Sequence, residues 1–204
     1  MVRVLHLVGT LEKAGGAQRL LLEVLTRVDR TRFAPEVAVL HGALELGAEL
    51  AAIGVPVHDL RGERGLFDPI GVRATRRLVR SRGITVLHCH LSRAEIVGGL
   101  AARRLPGVRL LLHKHNDDAW WTRPDLALIH RLIVRRADRI VVVSDAVGDH
   151  FARLDNAVRP KLVRVYNGVD LAALDAARGT PGATRLSLGV PADAPLIAAV
   201  GRLV

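Results

Sequence analysis

The 204 residues, 50% of them hydrophobic, suffice for one domain with a full apolar core and argue against disorder. A single cysteine, Cys89, excludes an internal disulfide framework, and aromatics at 3% leave too little base-stacking surface for a nucleic-acid binder. The formal charge is +10, and its whole excess falls between Gly71 and Arg139, where 15 Lys or Arg face 5 Asp or Glu.

From the start, residues 3–8 read as a strand, since Met1–Val8 is too short for a signal peptide and contains His6. Further strands are expected at 36–40, 55–60, 85–90, 109–113, 139–144 and 161–166. Helices are expected between them at 17–28, 44–53, 70–82, 92–105, 124–137 and 146–154. Ser92 with Glu95 three residues on forms a capping-box pattern, and Pro124 suits a first helical turn. The segments around Leu5, Leu87, Leu111 and Val142 are continuously apolar, as parallel strands covered on both faces are. Alternating strands and helices predict an α/β fold, a doubly wound, mostly parallel sheet with helices on both faces. A looser segment follows, and an apolar strand is expected at 195–200. The expected organisation is therefore a Rossmann-like domain over 1–170, a linker over 171–194 and the first strand of a second domain over 195–204. No stretch reaches the roughly 18 uninterrupted apolar residues of a membrane span, and a soluble, cytoplasmic chain is expected.

In such a sheet, ligands sit beyond the carboxyl ends of the strands. After the first strand, Gly15 and Gly16 lead into a helix whose backbone N–H groups could face an anion. The spacing matches neither the phosphate-binding loop nor the dinucleotide fingerprint. His88 and His90 end one strand, and His113 and His115 end the next, with Asn116, Asp117 and Asp118 behind them. Two His-x-His pairs could ligate a metal or bond backbone, and either way mark a polar pocket. Ser144 and Asp145 start a helix, either of them suited to its cap. Asn167-Gly168 is a turn dipeptide. Trp120 and Trp121 either stack on a sugar or lipid surface or pack on the helix near Pro124.

Six segments in order resemble the amino-terminal, acceptor-binding domain of family-four glycosyltransferases, which have the GT-B fold. They are Gly15-Gly16-Ala17-Gln18-Arg19, Val86–His90, His113-Lys114-His115, Ala137–Ser144, Val165–Asp170 and Val200–Leu203. The resemblance implies a retaining, metal-independent sugar transfer with no cofactor, the nucleotide-sugar being a substrate. It places Gly15 and Gly16 against donor phosphates and acceptor, and His115 beside the transferred sugar. Ser144 would line the cleft, and Arg202 would meet the leaving diphosphate. His90, Asn116 and Asn167 complete the expected donor- and acceptor-binding set. The lysine and paired glutamates of the family's second domain would lie beyond Val204, so the chain reads as one half of a two-domain enzyme, inactive alone.

The partners implied are a nucleotide-sugar donor and a lipid-linked or glycan acceptor. Basic residues at 71–139, including Arg73, Arg76, Arg77, Arg80, Arg82, Arg131, Arg135 and Arg136, suggest an anionic membrane surface, at about 1 kcal/mol each. Three other readings stay open: a sugar-nucleotide epimerase of similar fold, a metal-dependent hydrolase using the histidine pairs, and a non-catalytic binding fragment.

Overall fold

The structure is a computed structural model describing residues 1–199 except 63, 64, 66, 67, 118, 180, 181, 192 and 198; residues 119 and 120 are described by their backbone only. The chain divides into two units, Met1–Asn167 and Gly168–Val204. In the first, elements alternate in chain order: β1 (Val2–Val8), α1 (Gly16–Arg27), β2 (Phe33–Val39), α2 (Gly47–Ala52), β3 (Val57–Asp59), α3 (Pro69–Ser81) and β4 (Val86–His90). They continue with α4 (Leu91–Ala102), β5 (Arg109–Lys114), α5 (Ala127–Arg136), β6 (Arg139–Val142), α6 (Asp145–Leu154) and β7 (Leu162–Arg164). The strand order is β3-β2-β1-β4-β5-β6-β7 and every pairing is parallel. This is the expected doubly wound α/β sheet, and its order reverses between β1 and β4.

Alternate residues of each strand feed two cores. Leu5, Leu7, Leu87, Cys89 and Leu112 pack with Val72 and Val79 of α3, Ile96 of α4, Ile133 of α5 and Phe151 of α6. Val8, Val37 and Val39 pack on the other face with Leu21 and Leu25 of α1 and Leu50 of α2. Helices thus cover both faces of the sheet.

Helix α4 lies unusually close to its neighbours because Gly98 and Gly99 carry no Cβ. A Cβ on Gly98 would run into the Cys89 sulfur, and one on Gly99 would stand 2.8 Å from two Ile133 side-chain carbons. Gly99→Val should therefore cost about 3 kcal/mol, the upper end of the overpacking range. An unchanged urea midpoint would show that α4 and α5 can separate without loss.

Arginine and lysine side chains finish the helices. Arg76 of α3 donates to the carbonyls of Leu100 and Ala101, and Arg136 of α5 donates to that of Ala102. Lys161 donates to the carbonyls of Val134, Arg135 and Ala137 at 2.7–2.9 Å. Terminal carbonyls without intrahelical partners, at the negative end of the helix dipole, attract cations in this way. Arg82 is similarly engaged, bonding the buried Glu36 of β2 at 2.9 Å, where Arg3 and His58 also converge.

Several expectations change at element ends. The helix start differs from the expected capping box: α4 begins at Leu91 with His90 as its N-cap, and Glu95 pairs with the buried Lys114. Pro124 opens a short 3-10 turn, Pro124–Leu126, which leads into α5. The segment expected to be a linker carries two short helices, α7 (Leu171–Ala176) and α8 (Ala183–Ser187), neither with a buried residue. Residues 195–197 and 199 are not in strand, and the rest of the expected strand at 195–200 lies outside the described residues.

Candidate functional site: a histidine cluster at the switch point

Five histidines gather at the carboxyl ends of β1, β4 and β5. The sheet register aligns His6 with His88 and His90 with His113, so all four point to the same face. His115 follows β5 and stacks on His113 with ring centroids 4.0 Å apart. Two short contacts link three rings in series: His6 Nδ1 to His90 Nε2 and His90 Nδ1 to His115 Nε2, both 3.1 Å. Each neutral imidazole carries one N–H and one acceptor nitrogen, so the series can run in either direction. The turn that holds His90 is tight, because Leu91 enters α4 with φ at 67°, left-handed backbone that costs a non-glycine residue about 1–2 kcal/mol.

Burial keeps these rings neutral at pH 7. It lowers His6 to about 4, with His113 adding to the effect, and lowers His115 to about 4 on its own. His113 falls to about 2 through burial and its neighbours His115 and His88. His88 and His90 are also held well below the usual histidine value, chiefly by burial. The site therefore presents uncharged hydrogen-bonding nitrogens and no cations from these rings.

Lys114 lies between His113 and His115 in sequence but points to the opposite face. Its buried ammonium pairs with Glu95 of α4 and lies 4.4 Å from the ring centres of both Trp121 and Phe151. Trp121 is buried, so the reading of exposed paired tryptophans is corrected for this one: it packs inside, against Lys114 and His130. The side chain of Trp120 lies outside the described residues.

At the end of β1, the loop from Gly9 folds into α1. Gly15 is the N-cap of α1 with extended backbone, and no side chain caps the helix. Gln18 reaches back to the Thr10 carbonyl at 3.3 Å. A side chain on Gly15 would collide with Gln18, whereas a Cβ on Gly16 would meet nothing within 4 Å. The first turn thus presents its amides beside a position open to a ligand.

The other expected residues are placed less distinctively. Ser144 caps α6, accepting from the Val147 N–H at 3.2 Å. Asn116 is exposed after β5, and Asn167 is exposed at the end of the first unit. Arg202 lies outside the described residues. Of the basic residues, Arg73, Arg76, Arg103 and Arg104 line a groove of about 660 Å³ between α3 and α4. His6, read only as part of the first strand, joins the site as well, and a polar residue inside a buried first strand is the signal for it.

The comparisons with known proteins agree with this architecture. The model of Glycosyltransferase Family 4 matches residues 14–173. A D-inositol 3-phosphate glycosyltransferase of Saccharomonospora viridis is 41% identical over 71 residues, 35% of this chain and 16% of that protein. The solved Anabaena protein Alr3699/HepE in complex with UDP superposes with a TM-score of 0.70 at 19% identity, covering 92% of this chain and 50% of its own. A glycosyltransferase from Rickettsia africae does so with a TM-score of 0.67 at 15% identity, over 95% of this chain and 51% of that one. At such identities these structures attest the fold alone, and the chain spans about half their length. With the family model covering most of the first unit, the chain belongs to Glycosyltransferase Family 4.

Proposed function

We propose that this chain is the acceptor-binding half of a retaining glycosyltransferase that moves a sugar from a nucleoside diphosphate sugar to a lipid-linked or glycan acceptor. The observation that carries the proposal is the placement of the uncapped α1 N-terminus and the His90–His115 pair at the carboxyl ends of β1, β4 and β5, where the strand order reverses. That edge is where ligands of doubly wound sheets bind.

The chemistry suits the placement. A departing nucleoside diphosphate gathers negative charge, which helix amides stabilise without a counter-cation. His115 engages His90 through Nε2, which leaves Nδ1 for a sugar hydroxyl. The direction of the imidazole series decides whether that nitrogen donates or accepts. Asn116, Ser144, Asn167 and Arg202 are assigned here as further contacts, on the family's pattern. UDP is bound by the Anabaena protein of similar fold, which supports a uridine or related nucleotide as the donor's leaving group. The groove arginines Arg73, Arg103 and Arg104 would meet an anionic headgroup where the acceptor is lipid-linked. Among the described residues no helix is long and apolar enough to cross a membrane.

Calorimetric titration with a panel of acceptors tests this reading, beginning with D-inositol 3-phosphate and polyprenyl-phosphate sugars. We expect saturable binding by one of them, at least tenfold weaker in Gly16→Phe, whose ring would fill the open position beside the amides. We also expect no transfer when a nucleotide sugar is added to this chain alone. Turnover by the chain alone would overturn its assignment as a half-enzyme, and unaltered binding in Gly16→Phe would remove the α1 terminus from the site.

A further inference from the structure

Three nitrogens of the histidine cluster are buried and have no hydrogen-bond partner: His88 Nε2 and both nitrogens of His113. Buried polar atoms are nearly always satisfied, so three orphans within one cluster need an explanation such as an ion or water. His90, His113 and His115 each offer a ligand atom within 4.8 Å of the other two, and so do His6, His88 and His90.

We propose that His90, His113 and His115 bind one divalent transition-metal ion, of the kind that neutral imidazoles prefer, with zinc as the leading case. Imidazole is a borderline-soft ligand suited to zinc, copper or nickel, and a set without carboxylates does not suit magnesium or calcium. With zinc–nitrogen bonds of about 2.0–2.1 Å, tetrahedral geometry sets ligand nitrogens about 3.3 Å apart. His90 Nδ1 and His115 Nε2, at 3.1 Å, already have nearly that spacing. Turning the His113 ring brings in a third ligand and satisfies one of its orphan nitrogens.

The surroundings favour this trio over the inner one. A ligating histidine normally donates its other N–H to a fixed acceptor, which sets the tautomer. His90 has that partner in His6, whose Nδ1 stands 3.1 Å from His90 Nε2. The inner trio would consume this contact and has both His6 and His90 buried, whereas His113 and His115 are only partly buried and allow an ion to enter. The ion takes the nitrogens of His90 and His115 that now face each other, so His115 Nδ1 stays available. The proposal assigns the metal a binding and orienting role and no step in sugar transfer.

Untagged, EDTA-treated protein is dialysed to equilibrium against low micromolar zinc, and bound metal is counted by mass spectrometry. We expect one equivalent in the wild type, lost in His113→Gln and kept in His150→Gln, a change on α6 outside the cluster. Cobalt loaded into the wild type should give the intense visible bands of a tetrahedral site, a readout that survives if His113→Gln fails to fold. No stoichiometric uptake, uptake unchanged in a folded His113→Gln, or an octahedral cobalt spectrum would each overturn the assignment.

Discussion

Lys114→Met is expected to lower the unfolding free energy by about 3–5 kcal/mol, because it removes the ammonium paired with the buried Glu95 carboxylate. The side chains of Lys114 and Glu95 are 3% and 0% exposed, so neither charge can relax into water. The ammonium is further held between the Trp121 and Phe151 rings, an arrangement worth up to about 2 kcal/mol when desolvated. Removing both charges is a different experiment. Lys114→Met/Glu95→Met replaces a desolvated pair by apolar volume and should recover most of the loss, as buried pairs commonly do. Urea unfolding of the two single variants and the double variant gives the coupling directly. A single variant costing under about 1 kcal/mol would mean the pair is not desolvated as described. Since Lys114 is flanked by His113 and His115, its anchoring also fixes the end of β5 that carries them.

Acidification should unfold the metal-free protein well above the usual carboxylate range. In the unfolded chain each histidine takes up its proton near 6.5, whereas in the folded chain His6 and His115 do so at about 4 and His113 at about 2. His130, outside the cluster, is lowered to about 4, by burial first and Lys114 second. The unfolded state therefore binds more protons throughout the window from 6.5 down to 4. The stability these neutral rings confer is fully present above pH 6.5 and is lost as the pH falls through that window, at about 1.4 kcal/mol per pH unit for each ring. With several rings acting together, the urea midpoint should drop steeply between pH 6.5 and 5. His6→Gln, which cannot titrate, should flatten the slope by about one proton. A midpoint that stays level down to pH 5 would contradict the burial of the cluster.

The sheet was legible because its signals are local. Continuous apolar runs at Leu5, Leu87 and Val142 with helical spacing between them fix strand, helix and parallel pairing, and a +10 charge does not disturb that pattern. Boundaries slipped where tertiary partners compete with local rules. Glu95 suits a capping box in isolation, but the helix starts one residue early, at Leu91, and the Glu95 carboxylate pairs with the interior ammonium of Lys114. The arginine excess looked like an outward-facing surface, yet Arg76, Arg82 and Arg136 are committed to helix ends and to Glu36. Two of the cluster's strand ends were visible as His-x-His pairs. His6 was not, because its meeting with His88 depends on β1 and β4 being neighbours, a long-range pairing that spacing alone does not reveal.

Acceptor binding at the edge where β1, β4 and β5 end can be followed by nitrogen NMR of the histidine rings during acceptor titration. The His115 and His90 ring nitrogens should move together with saturation, while His150 stays fixed. Binding that moves the arginine side chains of the α3–α4 groove and leaves His115 and His90 unchanged would contradict this placement of the acceptor.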